Sequence, residues 1–126
     1  MKRLIVSLSI FAFIIVICVV EFMVVNIGTN SIISQIDDLE EVFMSDDVDS
    51  VKEKESLLIK EWENHEKLIE LFASHMALVD IDRSFAVMCK CIESDDKDNF
   101  LVESASARSG LEQLQDEVVC DIHNIL

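Results

Sequence analysis

The side chains able to do chemistry are three histidines, four cysteines and a large excess of carboxylates, so the spacing of the first two decides what is open. Cys89 and Cys91 stand two apart in a helical stretch and so point to nearly opposite sides, a poor grip for one metal. Cys-Lys-Cys is also not the two-residue-spaced pair of zinc or dithiol redox sites. Cys120 faces one of them if their helices pack antiparallel. That leaves a disulfide open beside the reading of core residues or free thiols. His65 follows Glu61 by one turn, which puts both on one helical face as the weak candidates for a metal pair. Yet His65 also lies on an apolar stripe, the usual place of a hydrogen-bonded core histidine. His75 and His123 have no such companion spacing.

The acidic clusters Ser45-Asp46-Asp47-Val48-Asp49-Ser50 and Ser94-Asp95-Asp96-Lys97-Asp98-Asn99 gather oxygens, but both lack the mid-loop Gly and terminal Glu of a calcium-binding hand. Nucleophile elbow, phosphate-binding loop and dinucleotide fingerprint are all missing, so no cofactor and no catalytic residue is expected, and the chain reads as a non-enzyme. Removing Glu21, Lys2 and Arg3 from the 25 acidic and 10 basic side chains leaves 24 against 8, a net charge of −16. Such a field repels nucleic acid, whose binding depends on cations neutralising phosphates.

The element that must position everything is Leu4 to Val25, an almost unbroken apolar run. Its 22 residues extend roughly 33 Å as a helix, against a hydrocarbon core of about 30 Å. Lys2 and Arg3 precede it, and no further cation occurs before Lys52, so the positive-inside rule places the N-terminus in the cytoplasm. A cleaved signal peptide is the competing reading, but Asn26-Ile27-Gly28 offers no small-residue cleavage site. The expected organisation is a cytoplasmic tip at 1–3, a signal-anchor span at 4–26 and an extracytoplasmic acidic domain at 27–126, in the cytoplasmic membrane as a single pass. Glu21 is the lone charge in the span, about one turn from its outer end, where it reaches headgroups or a partner helix.

Proline is absent and glycine occurs only at 28 and 110, so the chain reads as all-α. The two acidic clusters lie 49 positions apart, and the flanking apolar residues keep that offset. Ile36, Leu39, Val42 and Phe43 fall on Phe85, Met88, Cys91 and Ile92, while Val51, Leu58, Trp62 and Ile69 fall on Phe100, Ala107, Leu111 and Val118. The pattern predicts two diverged helix hairpins of tetratricopeptide-like size, packed as a small antiparallel bundle continuous with the membrane helix. Helices are predicted to about Met44, then over Val51–Phe72, Met76–Ser94 and Asp98–Ile122. Residues 73–76 carry no strong breaker, so the middle two form either separate helices or one bent one.

Met1-Lys2-Arg3, Asp38-Leu39-Glu40, Trp62, His75, Ile81-Asp82 and Asn124-Ile125-Leu126 together resemble an uncharacterised family of short single-pass membrane proteins from Gram-positive, endospore-forming bacteria. The resemblance implies an anchor, an all-helical extracytoplasmic domain and a role beside a multi-pass membrane protein, with no activity to carry over. Met76-Ala77-Leu78 departs from it, since an acidic residue usually follows the histidine there. The function expected is a membrane-tethered protein-interaction module or accessory subunit, its partners the bilayer through 4–26 and an integral membrane protein. Glu21 and Trp62 are the candidate partner contacts, although Trp62 also fits as core filler. The alternative is an extracytoplasmic ligand or metal sensor built on Glu61, His65 and the acidic turns.

Overall fold

The computed structural model describes residues 1–125 as four helices: α1 (Lys2–Met44), α2 (Val48–Ile69), α3 (His75–Glu93) and α4 (Lys97–Ile125). No strand occurs among the described residues. Helix α1 runs through Gly28 without a break, because one glycine costs a helix only about 1 kcal/mol and packing on both sides of it outweighs that. Its two halves have different surroundings. Leu4 to Met23 is exposed almost throughout, whereas Val25, Thr29, Ile32, Ile36, Leu39 and Phe43 are buried at alternating spacings of four and three.

The same seven-residue rhythm buries Val51, Leu58, Trp62, His65 and Ile69 of α2 and Phe100, Ser104, Ala107, Leu111, Leu114 and Val118 of α4. In α3 it buries Leu78, Ile81, Phe85 and Met88. A period of 3.5 keeps each seam facing its neighbours, the geometry of an antiparallel bundle. Helix α1 lies against both α2 and α4, and α3 against α4. Cross-contacts fix the antiparallel registers: Thr29 meets His65, Asp37 meets Arg108, and Ser84 meets Ser106. Helices α2 and α3 stand further apart, and the large rings of Trp62 and Phe85 fill the space between them at 5.4 Å.

The two acidic clusters form the same turn, bond for bond. Asp46 and Asp95 take left-handed φ values of 61° and 53°. The amide of Ser45 bonds to Glu41, of Asp46 to Phe43 and of Asp47 to Val42, while Ser94, Asp95 and Asp96 repeat this on Lys90, Ile92 and Cys91. Asp47 and Asp96 then cap the next helix by accepting from the amides of Ser50 and Asn99, each at 3.3 Å. Phe43 and Phe100 pack edge to face behind the turns at 4.7 Å.

Helices α2 and α3 are separate. Their junction uses Ser74, whose hydroxyl accepts from the Ala77 amide at 3.2 Å and starts α3, while the amides of Phe72 and Ala73 close back on Ile69. Two expectations are corrected here. Helix α2 starts at Val48 instead of Val51 because Asp47 is its cap, and it stops at Ile69 instead of Phe72, which leaves Phe72 in the link and 37% exposed. Ile92 is partly buried and packs against the core.

Since both turns use one design, Asp47→Ala and Asp96→Ala should each lower stability by about 1 kcal/mol, the usual cost of a lost cap. Thermal melting of the full-length protein in mild detergent measures this. A neutral result at either position would show that the matching bonds there carry no weight.

Candidate functional site

Polar side chains inside the bundle collect where α1, α2 and α3 approach one another, and their geometry begins with two small residues. Gly28 and Thr29 bring the α1 backbone against His65: a Cβ on Gly28 would stand 2.2 Å from the ring's Cε1. Only a bare Cα admits the imidazole at this distance. Thr29 Oγ1 lies 3.2 Å from His65 Nε2, and both residues are buried. Burial lowers the His65 pKa, partly offset by the charge of Glu61, so the ring is neutral at pH 7.

Glu61 does not join His65 on a common ligand. Its carboxylate accepts from the Ser31 hydroxyl at 2.8 Å, one turn further along α1. Among the described residues, no group of three His, Cys, Asp or Glu side chains is placed to hold a metal ion. His65 thus acts as a packed, hydrogen-bonded wedge between α1 and α2. His75 opens α3 at the surface, and His123 is exposed.

Trp62 is 2% exposed, so its ring is core and the expected partner contact at this position is withdrawn. Its indole N–H donates to Asp82 Oδ1 at 2.6 Å, which ties α2 to α3. Glu66 shares that carboxylate. Burial, then the hydrogen bond and charge of Asp82, then Glu70 and Glu63, push its pKa up to about 7. Glu66 therefore keeps its proton up to near neutrality beside the Asp82 carboxylate. Glu21, by contrast, is partly buried on α1 and engaged with its surroundings.

The four cysteines are all free thiols. Cys91 lies at the turn end of α3 and Cys120 near the other end of α4, so the Ser84–Ser106 register keeps them apart and no disulfide joins α3 to α4. Cys89 is half-buried, and desolvation, followed by a hydrogen bond to and the charge of Glu55 and the charge of Glu93, pushes its pKa up to about 12. Such a thiol is a poor nucleophile.

Sequence reasoning missed the Gly28–His65 contact, the Glu66–Asp82 pair and the α1–α4 ion pairs. In the last, Arg108 bridges Asp37 and Glu40, and Lys97 meets Asp46. A glycine inside the stripe Val25-Gly28-Thr29-Ile32 was the available signal for the first, because a bare position on a packed face marks a close approach. Pairs between helices had no signal in spacing.

Residues 19–125 match the sequence model of a family described as Domain of unknown function (DUF4363). No curated protein and no solved structure matches the chain.

Linkage gives the seam opposite pH signs. His65, with a lowered folded pKa, contributes stability present above its unfolded pKa of about 6.5 and lost as pH falls below it. Glu66, raised from about 4.5 to about 7, favours the fold below 4.5 and disfavours it increasingly up to 7. Glu66→Gln should therefore raise the melting temperature at pH 8 and leave it little changed at pH 4.5. Because Glu66 is only partly buried and solvent screens its neighbours' charges, we expect a gain of no more than about 1 kcal/mol. Equal effects at both pH values would rule out the retained proton. Gly28→Ala should cost about 1–3 kcal/mol through overpacking, and less when combined with His65→Ala, as a double-mutant cycle will show. Strict additivity would mean that the two residues do not meet.

Proposed function

The chain belongs to this family of domains of unknown function, and on that premise we propose that it is a membrane-tethered helical interaction module, an accessory subunit beside an integral membrane protein. The observation that carries this reading is the continuity of α1. One N-terminal helix is long and apolar enough to cross a membrane, and its remaining half is the central strut of the bundle. A domain joined to its anchor without a hinge is held at a fixed height and orientation. That suits contact with a neighbour in the same membrane and is wasted on a free-ranging domain.

The bundle stands outside the cytoplasm, with Met1 to Arg3 on the cytoplasmic side. Lys2 and Arg3 flank the near end of the apolar run, and the far side offers no cation before Lys52. This is the topology of the single-pass proteins of Gram-positive endospore formers that the chain resembles. Our reading is of a non-enzyme, supported by a buried histidine packed against Thr29 and Gly28 and a half-buried thiol held protonated. A sensor built on Glu61 and His65 draws no support from their placement, since each is committed to a different residue of α1.

Two measurements test the reading. Val48, 65% exposed at the start of α2 and at the end of the bundle farthest from the span, becomes a topology probe as Val48→Cys in a chain carrying Cys120→Ser. A membrane-impermeant maleimide should label it in intact cells. Labelling only after permeabilisation would reverse the orientation. Purification of the full-length protein in mild detergent should then bring down an integral membrane protein in stoichiometric amount. Recovery of the chain alone would contradict the accessory role.

A further inference from the structure

The link between α2 and α3 is the least polar part of the bundle surface. Residues 71–79, Leu-Phe-Ala-Ser-His-Met-Ala-Leu-Val, contain no Asp, Glu, Lys or Arg in a chain that carries 25 acidic side chains. Leu78 packs into the core, but the other large apolar side chains around it do not: Leu71 is 85% exposed, Met76 75%, and Phe72 and Val79 more than a third. Leu68, at 59%, adjoins them on the last turn of α2. At the opposite end of the bundle the two turns present Asp46, Asp47, Asp49, Asp95 and Asp98.

The position of this apolar end explains its composition. Helix α2 runs antiparallel to α1, with Thr29 beside His65, so the C-terminal end of α2 comes level with the outer end of the apolar run. Phe72 and Ala73 accordingly line a small recess together with Val25, Ile69, Leu114 and Val118, with Glu117 as its one charged member. Val25 is the first buried residue of α1, and Leu4 to Met23 before it are exposed almost throughout, a length of about 30 Å. A bilayer covering those residues ends where the link begins.

We infer that the α2–α3 link is a second membrane contact, with Leu71, Phe72 and Met76 seated in the interfacial layer of the same outer leaflet from which α1 emerges. The inference rests on the reading of α1 as a membrane span and adds to it an occupant for the exposed link. Apolar and aromatic side chains are favourable at that depth, and a carboxylate-free segment avoids the repulsion that the rest of the domain would meet at an anionic surface. With two points of contact the bundle can neither lean nor rotate freely about α1, which fixes the face it shows to a neighbour.

Fluorescent labels at Leu71→Cys, Phe11→Cys and Val48→Cys, each in the full-length chain with its native cysteines replaced by alanine, test this in phosphatidylcholine–phosphatidylglycerol vesicles. Lipids brominated close to the headgroup or near the chain end serve as quenchers. The expected result is quenching at position 11 by the deep bromines, and at position 71 by the shallow bromines several times more strongly than at position 48. Quenching at 11 with position 71 as unaffected as 48 overturns the link contact and leaves the span standing. No quenching at 11 removes the span and the inference with it. A blue-shifted but unquenched label at 71 assigns the patch to protein contact and also overturns the proposal.

Discussion

One stripe of side chains on one helix governs the molecule. Val25, Thr29, Ile32, Ile36, Leu39 and Phe43 repeat at the 3.5-residue period that lets a straight face stay in contact with its neighbours. Because the helix is unbroken, this stripe begins where the exposed apolar run ends, and the bundle is in effect assembled around the C-terminal half of α1. Helices α2 and α4 flank the stripe, and α3 reaches the core mainly through α4 and the Trp62 ring. Without the stripe, α2 and α4 would have no common surface to cover.

The repeat follows from the same period. An offset of 49 residues is seven heptads, so the second hairpin buries most of the same positions as the first and its turn falls at the same phase. What heptads alone do not require is the identical set of turn hydrogen bonds and the two left-handed aspartates. Those match because Ser-Asp-Asp supplies the same cap and the same tolerance of positive φ twice. The hairpins then diverge where they face different neighbours. Trp62 and His65 in the first correspond to Leu111 and Leu114 in the second, so the ring groups of the polar seam come from the first hairpin and its Asp82 acceptor from the second.

How much could be read beforehand follows from these causes. The long apolar run, the all-helical class, the bundle and the turn positions were legible, since each depends on local pattern and on the absence of proline. The split between α2 and α3 was not, because it rests on a single serine cap at Ser74 whose strength depends on the link being free to turn. Helix ends slipped by three residues at α2 for a similar reason: either Asp47 or Ser50 could have been the cap. The pairing of His65 with Gly28, and of Glu66 with Asp82, joins different helices and is fixed only once register is known. Trp62 illustrates both sides, legible as a stripe residue but not as the donor that ties α2 to Asp82.

The central claim is that span and bundle share one rigid helix, and a distance along α1 tests it most directly. Spin labels at Phe13, within the exposed apolar run, and at Met44, the last residue of α1, are separated by 31 residues of helix or about 46 Å along the axis. Pulsed dipolar spectroscopy on the full-length chain in lipid nanodiscs, with native cysteines replaced, should give one narrow distribution near that distance. A broad distribution, or a clearly shorter one, would mean that the helix bends or breaks near Gly28, and the account of a bundle held rigidly at the membrane would be wrong.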